Sequence, residues 1–205
     1  MSSLLPIFPL DLVLLPNELL PLHIFEPRYR EMISECLDTE RPFGVVRARE
    51  GGVASVGCTA EIVTVAKKYD DGRMDIVTRG KSRFEVIEVN QERSFLRAEI
   101  LVLDDATEHG TAEQRREALK LHGEVMNLMG ASEKPFETSD PLLSFQLAGS
   151  LPMDLDVKQN LLETNSESDR LESLISLFQN ILPSMRRSVH IRRKAGGNGH
   201  GGHPE

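Results

Sequence analysis

The chain of 205 residues has no tryptophan, two cysteines and only 5% aromatic side chains. Each scarcity excludes something. Cys36 and Cys58 lack any C-x-x-C spacing, which argues against a disulfide framework or a cysteine-built zinc site and leaves both as reduced core thiols. Few aromatics speak against single-stranded nucleic-acid binding, which relies on stacking platforms. Long apolar runs are missing too. The stretch from Leu4 to Phe25 is rich in apolar residues, yet Pro6, Pro9, Asp11, Pro16, Glu18 and Pro21 interrupt it and no basic residue precedes it. Neither a signal peptide nor a membrane span fits, so a cytoplasmic chain with no membrane partner is expected.

What is present suffices for one large domain or two small ones, because 40% of the residues are apolar. The net charge of -8 is unevenly spread. Arg186, Arg187, Arg192, Arg193 and Lys194 stand against Glu205 alone, so residues 186 to 205 are basic and the body before them is strongly acidic. An acidic body opposes broad binding to nucleic acid.

The apolar pattern divides the chain. Leu5 to Phe8, Leu12 to Leu15 and Leu20 to Phe25 read as short strands broken by proline, with Pro16-Asn17 at the centre of a tight turn. Pro27 suits the first position of a helix whose apolar face is Tyr29, Met32, Ile33, Cys36 and Leu37. From Phe43 to Leu103 β-branched stretches predict about six strands, with turns at Gly51-Gly52, Asp70-Asp71-Gly72 and Asn90-Gln91-Glu92, and strands so spaced close into a small barrel. Beyond Asp105 the pattern is helical. Thr111 with Gln114 forms a capping box for a helix ending at Gly130. Asp140-Pro141 opens a second helix that ends near Leu151-Pro152, Asp154 caps a third, and Ser166 with Asp169 opens a fourth that Pro183 breaks. The fold class is therefore α+β: a β-rich barrel over residues 1 to 108 with an inserted helix, a helical bundle over 109 to 185, and a basic, glycine-rich tail over 186 to 205, disordered from 195 onward.

Particular strings carry a resemblance. Leu5-Pro6-Ile7-Phe8-Pro9-Leu10, Leu15-Pro16 and, most specifically, Leu20-Pro21-Leu22-His23-Ile24-Phe25-Glu26-Pro27-Arg28-Tyr29-Arg30 resemble the amino-terminal substrate-recognition domain of Lon proteases. Phe43-Gly44-Val45-Val46, Val56-Gly57-Cys58-Thr59-Ala60-Glu61-Ile62, Gly80-Lys81-Ser82-Arg83-Phe84 and Leu147-Ala148-Gly149-Ser150-Leu151-Pro152 extend the likeness over roughly residues 4 to 182. The family's turn usually has glycine where Asn17 stands; asparagine is the next-best residue for a left-handed position. The resemblance implies a PUA-like barrel and a non-catalytic, proteolysis-related module, without the ATPase and peptidase of full-length Lon and without a cofactor. Its partners would be unfolded or partner proteins, Lon itself among them, met through exposed apolar surface at the turn, where Leu15 and Leu19 are the candidate contacts; the alternative is that both leucines fold inward and serve the core. An RNA-binding or small-molecule-binding PUA-like module is the alternative.

Other motifs carry less. Gly80-Lys81-Ser82 ends like a phosphate loop, but Asp75 stands where the motif needs its first glycine and a strand follows instead of a helix, so the segment reads as a barrel turn. Ser55, between Gly52 and Gly57, is one residue out of register for a nucleophile elbow. His23 has no second ligand at metal spacing and reads as a hydrogen-bonded structural residue, while Glu26, Arg28 and Arg30 cap the first helix and tie it to the barrel. Arg79, Lys81 and Arg83 alternate and would share a solvated strand face. His200 and His203 in the tail suggest only adventitious metal binding, so no metal site is assigned.

Overall fold

Alternating β-branched residues form seven strands and the amphipathic segments five helices among the residues described by the computed structural model, which are 4–105, 110–131, 136 and 140–197 without the side chains of 192–197. The strands are β1 (Leu5–Leu10), β2 (Leu19–Ile24), β3 (Phe43–Arg49), β4 (Gly52–Val53), β5 (Val56–Lys68), β6 (Met74–Asn90) and β7 (Leu96–Val102). Helix α1 (Pro27–Thr39) lies between β2 and β3, and α2 (Ala112–Met129), α3 (Leu143–Gly149), α4 (Leu155–Glu163) and α5 (Glu167–Gly197) follow the strands.

Five strands close into a ring. β1 pairs antiparallel with β7 and parallel with β3, while β7, β6, β5 and β3 pair antiparallel in turn. Strand β6 is long enough to serve two partners, β2 along Met74–Arg79 and β7 along Phe84–Asn90. Between those partners lies Gly80-Lys81-Ser82, which is therefore mid-strand and not a turn. A register shift between Cys58 and Ala60 of β5 marks the place, and the loop before β2 takes the open backbone groups: Asn17 N–H donates to Gly80 O at 2.9 Å, and Gly80 N–H donates to Glu18 O at 3.0 Å. Only glycine allows this approach. A Cβ on Gly80 would sit 2.1 Å from Leu15 O.

The same shift corrects the expected basic strip. Arg79 and Lys81 face solvent, but Arg83 turns inward and is buried, because the extra residue in β6 breaks the two-residue alternation. Leu12 to Leu15 is not a strand either. It is an irregular segment whose Val13, Leu14 and Leu15 are buried, and Pro16 with Asn17 at φ 65° turns it back toward β2.

Helix boundaries follow their caps. Thr111 Oγ1 accepts from Gln114 N–H at 3.1 Å, Gln114 Oε1 accepts from Thr111 N–H at 2.8 Å, and Gly130 ends α2 at φ 71°. Asp154 Oδ1 accepts from Asp156 N–H at 2.8 Å and caps α4. Glu26 occupies the cap position of α1 without a side-chain cap bond and pairs with Arg28 instead, whereas Arg30 ties the helix to the β5–β6 turn by donating to Asp71 O. Helix α3 starts at Leu143, later than Asp140-Pro141 suggests, since Asp140 Oδ1 accepts from Leu142 N–H and holds a turn first. Pro183 does not end α5, which continues to Gly197. Both Pro183 and Gln179, the residue whose carbonyl loses its helical donor, face solvent, so water can take that bond. The expected tail is thus helical through residue 197, and residues 198–205 lie outside the described part.

One hydrophobic core runs through strands and helices alike. Phe8, Ile24, Cys58 and Ile76 from the strands belong to the same cluster as Met32 and Ile33 of α1 and Leu171, Leu174, Phe178 and Leu182 of α5. A fully buried leucine adds about 1.5 to 3 kcal/mol. A smaller cluster of Ile7, Val46, Phe84 and Ala98 joins four of the ring strands. Charge also crosses the junction: Asp105 Oδ1 accepts from Arg83 of β6 at 3.0 Å and from Arg170 of α5 at 2.7 Å.

Candidate functional site

The helical half holds an apolar groove of about 310 Å³. Val125 and Met129, one turn apart, bring it the end of α2. Leu177, Phe178, Ile181 and Met185 bring it one face of α5. The segment Leu151-Pro152-Met153-Asp154 between α3 and α4 closes it, together with Val157 of α4. Asp154 is the one charged lining residue, and its carboxylate is already engaged with the first amides of α4. Three of the chain's seven methionines therefore line one surface that offers almost nothing but hydrocarbon and thioether. Met129 is 44% exposed, and Met153 and Met185 are half-buried. Thioether side chains with three rotatable bonds adapt to differently shaped apolar partners. Sequence periodicity misses this site because Met129 and Met185 sit at the edges of their helices' core faces and Met153 lies in the connection between α3 and α4. The available signal was Met153, placed between Pro152 and a helix cap where no core position is required.

The residues singled out from sequence part company. Leu15 is 0% exposed and Leu19 is 55% exposed. Leu15 belongs to the core, the inward placement expected as the alternative to a contact, and of that pair Leu19 alone is exposed. The turn itself is rigid: Glu18 Oε2 accepts from Leu15 N–H at 3.0 Å, and Glu18 Oε1 accepts from Lys158 Nζ of α4 at 2.7 Å. Leu19 pairs with Arg79 at one end of β2. Phe25, 58% exposed, follows the other end.

Beside Phe25 the strands assemble a polar cluster. His23 Nδ1 lies 2.5 Å from Asp75 Oδ1, Tyr69 Oη donates to Asp75 Oδ2 at 2.8 Å, and the His23 ring stacks near Phe25. The hydrogen bonds from His23 and then Tyr69 hold the Asp75 carboxyl below its ordinary value. His23 is thus hydrogen-bonded, as its isolation in the sequence implies. Lys81 pairs with Glu61 at 2.9 Å, and burial presses the Arg83 guanidinium below its ordinary value, opposed by Asp105. Both cysteines are buried and free. Burial pushes the Cys36 thiol up to about 11 and the Cys58 thiol up to about 12. Among the described residues no group of three or more His, Cys, Asp or Glu side chains is arranged to hold a metal ion, and no helix is long and apolar enough to cross a membrane.

This fold has counterparts among known proteins. The family described as the substrate-binding domain of ATP-dependent protease La (Lon) matches residues 4–180, and the chain belongs to that family. A Lon protease from Anaeromyxobacter dehalogenans is 29% identical over 194 residues, which cover 86% of this chain and 23% of that protein. Lon protease 2 of Myxococcus xanthus is 28% identical over a stretch of the same length. The chain spans about a quarter of the length of these curated relatives. Among solved structures, a Lon N-terminal domain protein from Xanthomonas campestris superposes with a TM-score of 0.68 at 27% identity, covering 85% of this chain and 98% of that one. The N-terminal domain of a Mycobacterium avium complex Lon protease, 18% identical, shares the fold with a TM-score of 0.65 over 86% of this chain and 98% of that one.

Proposed function

We propose that this chain is a non-catalytic protein-binding module of the cytoplasm that captures apolar segments of unfolded or partner polypeptides. The groove framed by α2, α4 and α5 is its main contact and Leu19 a second. The observation that carries this reading is the methionine-lined groove itself. An open apolar surface held by packed helices can bury area against a flexible chain without first being ordered, which lowers the entropy cost of association. Membership in the Lon substrate-binding family supports a role in choosing substrates, as an adaptor or as a regulator that meets Lon. On this reading the strand ring is a PUA-like barrel that serves protein and not RNA, because Arg83 is buried and Lys81 is neutralised by Glu61.

The test uses a fluorescein-labelled peptide rich in leucine and phenylalanine and free of methionine, cysteine and tryptophan, titrated by anisotropy. Met129→Asp puts a charge on the exposed rim of the groove, where burying it unpaired beneath a ligand weakens binding by about tenfold or more. Leu19→Ser tests the second contact. Equal peptide affinity in the Met129→Asp protein, at unchanged stability, eliminates the groove.

A further inference from the structure

We propose that Met129, Met153 and Met185 form an oxidation site through which peroxide closes the groove to apolar ligands. The inference rests on the groove being the ligand surface and adds its regulation. The three thioethers come from three separate parts of the chain, the end of α2, the α3–α4 connection and α5, yet line a single groove. Oxidation therefore alters that surface from several sides at once. The remaining described methionines, Met32, Met74 and Met126, are buried, so among the described methionines solvent-borne oxidant meets those of the groove first.

Competing targets are few. The chain has no tryptophan. Cys36 and Cys58 are buried and, with thiols pushed up to about 11 and about 12, stay protonated at neutral pH, whereas it is the thiolate that attacks peroxide.

The chemistry balances with hydrogen peroxide as oxidant. A lone pair on Sδ attacks one peroxide oxygen, the O–O bond breaks, and an S–O bond forms. The sulfur loses two electrons, and the second oxygen leaves as water after taking up the protons. The product sulfoxide is a strong hydrogen-bond acceptor. None of the other lining side chains, which are Val, Leu, Pro, Asp, Phe and Ile, offers a donor, Asp154 acting as an acceptor toward the first amides of α4. Water can solvate the sulfoxide in the open groove, but an apolar ligand displaces that water. The acceptor is then left without a partner, which weakens binding by about tenfold or more. Sulfoxide reductases reverse the change with a dithiol, which becomes a disulfide as the oxygen leaves as water, one enzyme for each sulfoxide epimer.

The experiment treats the full chain with hydrogen peroxide, maps the products by peptide mass spectrometry and titrates the same labelled peptide before and after. The expected result is sulfoxide at Met129, Met153 and Met185 ahead of Met32, Met74 and Met126, about tenfold weaker peptide binding, and recovery after treatment with both reductases. A second protein carrying Met129→Leu, Met153→Leu and Met185→Leu is compared only with itself. Whatever its starting affinity, peroxide shifts it by less than about twofold. Unchanged binding by wild-type protein whose groove methionines are fully oxidised overturns the switch, and so does equal peroxide sensitivity in the leucine protein. Failure of untreated protein to bind the peptide is seen before any oxidant is added; it removes the groove reading and the switch with it.

Discussion

Replacing Arg170 by methionine should cost about 3 to 5 kcal/mol of stability, the range for removing one partner of a buried ion pair. The Arg170 side chain is 0% exposed and that of Glu167 1%. Arg170 Nη2 donates to Glu167 Oε2 at 2.9 Å, Nη1 to Asp105 Oδ1 and to Thr164 O at 2.7 Å each, and Nε to Ser144 Oγ at 2.9 Å. The guanidinium also lies 4.2 Å from the centre of the Phe145 ring. Methionine keeps the apolar stem but loses the cation over the Phe145 ring, so lost packing is a minor part of the change and the lost charge the larger one. The cost comes from Glu167, left as a buried carboxylate with only Ser144 N–H and Oγ–H as donors. With a urea slope of about 2 to 3 kcal/mol per M for a chain of this size, the midpoint should fall by roughly 1 to 2.5 M in far-UV circular dichroism. Glu167→Gln combined with Arg170→Met removes both charges, so the double protein should lose clearly less than the sum of its singles. A midpoint for Arg170→Met close to that of the wild type, or strict additivity, would refute the claim that this pair is buried and coupled.

Three further outcomes follow from the geometry. Gly80→Ala should destabilise by more than about 2 kcal/mol, since the new Cβ would lie 2.1 Å from Leu15 O, and backbone has less room to yield than a side-chain end; an unchanged melting temperature would show that the loop does not rest on β6. Leu15→Ala should cost about 2 to 5 kcal/mol while Leu19→Ser stays within about 0.5 kcal/mol, a contrast that a pair of denaturation curves settles. The folded thiols of Cys36 and Cys58 sit above their ordinary value of 9.0, at about 11 and about 12. Above about pH 9 the unfolded chain therefore releases thiol protons that the folded chain retains, and their contribution is lost as pH rises toward the folded values. Stability should decline from about pH 8 to about pH 10 less steeply in Cys58→Ala than in the wild type, and equal slopes would count against the buried thiol.

Local chemistry was readable at several residues that act on near neighbours, though not at Glu26 or Asp140. The Thr111–Gln114 box, the Asp154 cap and the left-handed Asn17 are short-range devices, and each forms as its residue types require. What the pattern hid depends on distant partners. Gly80-Lys81-Ser82 looks like a turn because glycine and serine interrupt an apolar run, yet the loop at Asn17 and Glu18 supplies hydrogen bonds that keep the strand going. Arg83 looks solvated because its partners, Leu162 O, Asn165 and Asp105, lie far along the chain. Pro183 looks like a terminus because periodicity does not say that its face of α5 meets water. The groove was hidden for a related reason: Met129, Met153 and Met185 become one surface only when three segments pack together.

Helix α4 links that surface to the barrel. Its cap Asp154 and its own Val157 line the groove, and other residues grip the strands: Asp156 accepts from Arg47 of β3 at 2.5 Å, Lys158 reaches Glu18 at the turn, and Gln159 Nε2 donates to Val56 O of β5 at 3.0 Å. Gln159 is buried, so its bond to the β5 backbone is costly to leave unmade. A ligand that pushed the groove wall outward would have to break these contacts, and the one at Glu18 also holds the turn that presents Leu19. The groove and Leu19 are therefore two apolar surfaces on one rigid frame. On the proposed reading of the groove as a binding surface, rigidity of this kind favours short apolar stretches that fit the existing surface, because a partner demanding a wider groove would disturb the α4 contacts and the Leu19 turn together.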